Sequence, residues 1–258
     1  MCLARWPLDT ESRFRNKKGE PLAHGTRVGA FAQHTIVDES QVVQVPRDMP
    51  LDRAALLACG VITGFGAVVN TARVEAFRSV VVVGVGGVGL NAIQGAVFSG
   101  AHPIIAVDML DTKLQAARAF GATHTINARQ KNAVDIVKEL TSGRGADYVF
   151  VTVGSTAALT QGISMSGPRG NTVIVGLPPA RDTISLYPFQ FALLERTLTS
   201  SVMGSTRLRT DVPVLVALYQ AGRLKLDELI TARYPLEQIN EAIESVKKGE
   251  ALRNVIIF

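Results

Sequence analysis

Val80-Val81-Val82-Val83 runs directly into Gly84-Val85-Gly86-Gly87-Val88-Gly89, and an apolar stretch from Leu90 to Ser99 follows. Four β-branched residues without polar alternation read as a strand buried on both faces, the pattern of a parallel sheet. The glycines are spaced G-x-G-x-x-G, and the stretch after them reads as a helix. Such a motif carries weight only when strand, turn and helix occur in that order, as they do here. Gly84 permits the tight turn, Gly86 lets a phosphate approach the backbone, and Gly89 lets helix and strand pack closely. The amides at the helix start, with Gly87 and Val88 among them, then offer an anion a row of donors and the positive end of the helix dipole.

Outward from this turn the texture repeats. Pro103 to Val107 reads as a second strand and ends at Asp108, about twenty residues past the last glycine, where a carboxylate accepts hydrogen bonds from adenosine ribose hydroxyls. A negative charge there repels a 2′-phosphate, and Met109, Leu110 and Asp111 supply no arginine to offset it, so NAD is favoured over NADP. Lys113 sits one turn into the next helix, either reaching the same ribose or lying solvated on the surface. Thr112 to Phe120, Ala133 to Leu140 and Ala157 to Met165 read as helices. Thr123 to Ile126, Tyr148 to Val153, Asn171 to Val175 and Thr183 to Leu186 read as strands, the last closing the sheet. Apolar strands alternating with amphipathic helices, joined by right-handed crossovers, predict an α/β fold with a doubly wound parallel sheet of the Rossmann type.

The flanks differ. Upstream lie strand-like runs at Ala30 to Val37 and Gln41 to Val45, then a short helix, Asp52 to Leu57, with Asp52 near its start. Downstream, Val212 to Gln220 and Leu236 to Lys248 read as helices, and Asn254 to Phe258 as a closing strand. The expected division is 1–60, 61–202 and 203–258. With 258 residues, 47% of them hydrophobic and 19% charged, the composition is that of a globular protein of one or two domains. No apolar run reaches the ~18 residues of a membrane span, and the start shows no signal peptide. Two cysteines imply no disulfide framework and a reducing cytoplasm. The formal charge of +5 is scattered, without an aromatic platform, so no nucleic-acid partner is expected.

Several stretches together resemble the zinc-dependent, medium-chain alcohol dehydrogenases: Ala58-Cys59-Gly60-Val61-Ile62-Thr63-Gly64, the dinucleotide turn, Val153-Gly154-Ser155, Val175-Gly176-Leu177-Pro178 and Leu252-Arg253-Asn254-Val255. The likeness runs from about Gly29 to the C-terminus. It implies remnants of a GroES-like catalytic domain at both ends, around the NAD-binding domain. It further implies that Cys59 matches a ligand of the catalytic zinc, and that Thr63, the position assigned to catalysis, packs beside the nicotinamide. Val153, Gly154, Val175, Gly176 and Leu177 match the strand ends lining the nicotinamide pocket, and Arg253 matches an arginine that reaches back to the pyrophosphate. Independently, small residues at strand carboxyl ends let a flat ring approach the backbone.

A catalytic zinc takes three protein ligands and an open position. The family draws the others from the first half of its catalytic domain, which implies an N-terminally truncated chain with an incomplete zinc site. His24, His34, His102 and His124 read as structural or surface residues. Cys2 and the position near Thr10 imply no structural zinc. The family's reaction is hydride transfer between an alcohol or aldehyde and NAD, by subunits paired through a sheet edge as homodimers or homotetramers. Two other readings stay open: a zinc-free enzyme resembling quinone reductases, against which Asp108 and Cys59 both count, and an inactive nucleotide-binding or subunit-pairing protein.

Overall fold

The computed structural model describes residues 15–22, 28–249 and 251–258. Its centre is a six-stranded, wholly parallel sheet: β1 (Val80–Val83), β2 (Ile104–Asp108), β3 (His124–Asn127), β4 (Ala146–Val151), β5 (Ser166–Ile174) and β6 (Thr197–Ser200). The order is β3-β2-β1-β4-β5-β6, the doubly wound arrangement that the strand–helix alternation predicts. Helices α1 (Leu51–Ala72), α2 (Gly87–Phe98) and α3 (Asp111–Ala119) come from the first half of the chain. After them come α4 (Ala133–Leu140), α5 (Thr156–Met165), α6 (Pro188–Leu193), α7 (Leu208–Gln220) and α8 (Ile239–Lys247). A parallel pair, β7 (Ile230–Pro235) and β8 (Arg253–Ile257), forms a second small sheet.

The two-residue period of a strand divides β1 between two cores. Val80 and Val82 pack with α1, α2, α3 and α7; Val81 and Val83 pack with α4 and α5. β2 and β4 alternate likewise, with Ile104, Ala106 and Phe150 on the first face and Ile105, Val107, Val149 and Val151 on the second. All four residues of β1 are therefore buried, which is why no polar residue interrupts the run.

Several sequence expectations change. The helix expected at Asp52 to Leu57 continues to Ala72 and so runs through residue 60, with π-helical turns at Leu57–Val61 and Ala67–Ala72. It is 22 residues long and holds an 18-residue stretch of mean hydropathy 1.7, so it meets the length and apolarity of a membrane span, correcting the expectation that no run does. Burial accounts for that apolarity: Leu57, Val61, Ile62, Phe65 and Val68 fill the core against α2. The runs Ala30 to Val37 and Gln41 to Val45 form no strands, because the described residues offer them no partner to pair with; Phe31, Ile36 and Val42 lie exposed. Thr183 to Leu186 is likewise irregular, and the sheet closes instead on β6, whose Thr197 pairs Asn171. A strand of two threonines, a leucine and a serine carries too little hydrophobic signal to be seen in advance. β7 was also hidden, its residues alternating between half-buried and exposed.

Candidate functional site

The glycine turn leaves the carboxyl end of β1 and enters α2. Gly84 has φ +85°, a left-handed conformation that favours glycine, and a β-carbon there would strike Val153. Gly86 is the N-cap of α2, and a β-carbon on it would meet nothing within 4 Å. At Gly89 a side chain would collide with the Gly84 carbonyl, so strand and helix meet backbone to backbone as the spacing requires. The amides of Gly87, Val88 and Gly89 occupy the first turn of α2, where no intrahelical acceptor exists. Thr152, which sequence reasoning passed over, donates its hydroxyl to the Gly84 carbonyl and pins the turn to β4.

Asp108 stands at the carboxyl end of β2, half-buried, and faces the same turn. Its Oδ2 accepts from the Val85 amide at 2.8 Å, and its Oδ1 from the Met109 and Leu110 amides at 2.7 and 3.1 Å. Three backbone donors orient the carboxylate beside the glycine turn. Lys113 is half-buried on α3, with its ammonium turned toward Gly249.

Arg253 begins β8, which returns from the far end of the chain. A β-carbon at Gly60 would lie 2.5 Å from its Nη2, and one at Gly87 would collide with the guanidinium. The cation thus sits between α1 and the N-terminus of α2. Burial lowers its pKa, and the nearby Cys59 opposes that shift. Its hydrogen bond to Leu252 O is long, 3.5 Å, and no carboxylate pairs with it among the described residues. A partly buried guanidinium with no counterion among the described residues, beside the unpaired amides of a helix start, is costly unless an anion arrives.

The ends of β4 and β5 close the other side. Side chains on Gly154 and Gly176 would strike the backbones of Leu177 and Val153 respectively, so the two loops pack tightly. Val153 and Leu177 are exposed, whereas the Val175 side chain belongs to the core and leaves only its backbone at the strand end. Thr63 is buried in α1, its hydroxyl 3.8 Å from the sulfur of Met203. Cys59 lies exposed in the first π-helical turn of α1. Among the described residues no group of three His, Cys, Asp or Glu side chains could hold a metal ion. Cys2 and His24 lie outside the described residues. The structure thus gathers the glycine turn, Asp108, Val153, Gly154, Gly176 and Arg253 at the carboxyl edge of the sheet, where open α/β sheets bind ligands.

A family profile for zinc-binding dehydrogenases matches residues 87–221. The S-(hydroxymethyl)glutathione dehydrogenase of Paracoccus denitrificans is 36% identical over 97% of this chain and 68% of its own length. The Saccharomyces cerevisiae protein of that name is 38% identical over 96% of this chain and 65% of its own. Among solved structures, benzyl alcohol dehydrogenase from Acinetobacter calcoaceticus superposes with a TM-score of 0.86 at 34% identity, over 89% of this chain and 63% of that one. An alcohol dehydrogenase zinc-binding domain protein from Burkholderia ambifaria gives 0.88 at 36% identity, over 94% and 65%. The chain spans about two thirds of the length of these relatives. Glycine turn, sheet order and sequence agree: the chain belongs to the zinc-type, medium-chain alcohol dehydrogenase family.

Proposed function

We propose that this chain binds NAD across the carboxyl ends of its strands and serves hydride transfer between the cofactor and a small alcohol or aldehyde. The observation that carries the reading is Arg253, a partly buried guanidinium with no carboxylate partner among the described residues, standing over Gly87 at the start of α2. A pyrophosphate there would receive the free amides of the first turn, the helix dipole and the arginine together. Open space at Gly86 admits it. Asp108, fixed by three backbone donors, would accept from the ribose hydroxyls and refuse a 2′-phosphate. Bound NAD supplies the hydride acceptor at its nicotinamide ring. The loops of Val153, Gly154, Gly176 and Leu177 would seat that ring, and Thr63 would pack at its side.

Zinc is represented among the described residues by Cys59 alone. One exposed thiol does not make a zinc site, which takes three protein ligands. Metal analysis of the purified chain should find zinc weakly held. A stoichiometric ion would show that further ligands exist. Two cysteines in 258 residues, too few for a disulfide framework, favour a reducing cytoplasm.

Calorimetry with NADH and NADPH tests the cofactor assignment. NADH should bind at least about 100-fold more tightly, because a desolvated like-charge contact costs several kcal/mol. Equal affinities would remove the NAD assignment, and no binding of either would remove the dinucleotide site.

A further inference from the structure

We propose that Gln94, working through Asn91 and the backbone of Lys225, is a positioning residue that holds Arg253 over the dinucleotide turn. The proposal rests on the reading of Arg253 as a pyrophosphate ligand. Helix α2 is buried along most of its length, yet it carries two amides there. Asn91 is fully buried and Gln94 is 7% exposed. Asn91 donates to the Gly87 carbonyl at 2.7 Å, and Gln94 donates to Asn91 Oδ1 at 3.0 Å. The same Gln94 amide also donates to the Lys225 carbonyl at 3.1 Å and accepts from the Lys225 amide at 2.7 Å. Gln94 therefore pairs with a loop as a neighbouring strand would.

That loop leads straight to Arg253. Leu224 and Leu226, on either side of Lys225, are 2% and 0% exposed, and the Lys225 ammonium donates to the Ala119 carbonyl at the end of α3. Five residues later Ile230 opens β7, and its registered partner on β8 is Arg253 itself. A ring of hydrogen bonds, strand pairing and a short run of chain thus closes on the glycine turn: Gly87, Asn91, Gln94, Lys225, along the chain to Ile230, then Arg253 and Gly87 again. The C-terminal segment could be docked by its leucines alone, since apolar burial is non-directional. It would then lack what sets the register of Arg253 against Gly87. A partly buried two-point amide pair supplies that direction, because a slip would leave the buried Gln94 amide without its Lys225 partners.

The test is a double-mutant cycle on NADH affinity with Q94M, R253Q and the double variant. Methionine keeps the volume and removes the amide. Q94M alone should weaken NADH binding about 10-fold, within the usual range of coupling between linked sites. In the R253Q background the same change should have little effect, since Gln94 acts through the arginine. A purely structural Gln94 would lower Tm with NADH affinity unchanged, or weaken binding equally in both backgrounds; either result overturns the proposal. Should Q94M fail to fold, hydrogen exchange on the unaltered chain decides. By reciprocity, NADH should slow exchange at the Lys225 amide, and an unchanged rate overturns the proposal. If the unaltered chain binds no NADH, the dinucleotide reading fails first. If it binds and Gln94 is indifferent, this inference alone fails.

Discussion

Single residues in this protein are set against stability as well as for it. Arg253 keeps a charge in a half-buried place with no carboxylate partner among the described residues, and burial lowers its pKa. Arg253→Met should therefore raise Tm by about 2 °C, since removing an unpaired desolvated charge is worth about 0.5–1 kcal/mol in a chain of this size. The same variant should lose NADH affinity by about 10- to 100-fold, the worth of a charge-assisted phosphate contact. Calorimetric melts and binding isotherms on one preparation check both, and a variant that loses stability together with affinity would contradict the argument. Asp108 supports the opposite contrast. Asp108→Gly removes the acceptor for three backbone amides and should narrow the preference for NADH over NADPH to within about tenfold. An undiminished preference would move the selectivity elsewhere.

At the scale of elements, the start of α1 is tied to the C-terminal segment by charge. Asp52 accepts from Arg53 at 2.7 Å and from Arg233 of β7 at 2.7 Å, while Arg53 also reaches Asp227 at 2.7 Å and Tyr219 of α7 donates to Asp227 at 2.9 Å. The sequence placed Asp52 near a helix start for its dipole; the structure adds two arginines. The hydrogen bond from Arg53, aided by Arg233 and opposed by burial, draws its carboxyl from 3.8 to about 2. A depressed folded-state pKa stabilises above the unfolded value and loses that stabilisation as pH falls through the folded one. The contribution should be whole above pH 4 and vanish toward pH 2. Asp52→Asn should cost about 1–2 kcal/mol at pH 7 and almost nothing near pH 2. Urea melts at the two pH values check it, and an equal cost at both would show that Asp52 acts by packing or hydrogen bonding rather than by charge.

At the scale of the whole molecule, apolar side chains remain uncovered along the approach to the edge strand β6. Leu177, Tyr187, Phe189 and Leu193 are each at least 69% exposed, and residues 182–187 form no strand within the chain. An unpaired sheet edge beside such a surface favours self-association. We expect the purified chain to run as a dimer or larger in light scattering, and Tyr187→Asp with Phe189→Asp to shift it toward monomer. A monomer at all concentrations would sink the expectation and leave this surface for another partner.

Periodicity and spacing alone sufficed for the central strands of the sheet, the glycine turn and the place of Asp108 at a strand end, because a buried β-branched run and a G-x-G-x-x-G turn are local patterns with few structural solutions. The run Ala58 to Gly64 was visible, but not the 22-residue helix around it, since its apolarity answers to a core made of distant elements. β6 and β7 escaped for the same reason: their strand character comes from Asn171 and Arg253 pairing with them, not from their own side chains. Gln94 and Asn91 stood in the sequence as two amides in an apolar helix, a signal of buried hydrogen bonding whose partner only folding could name. That partner is Lys225, 131 residues away, in the segment that leads to β7 and so to the pairing of the last strand of the chain.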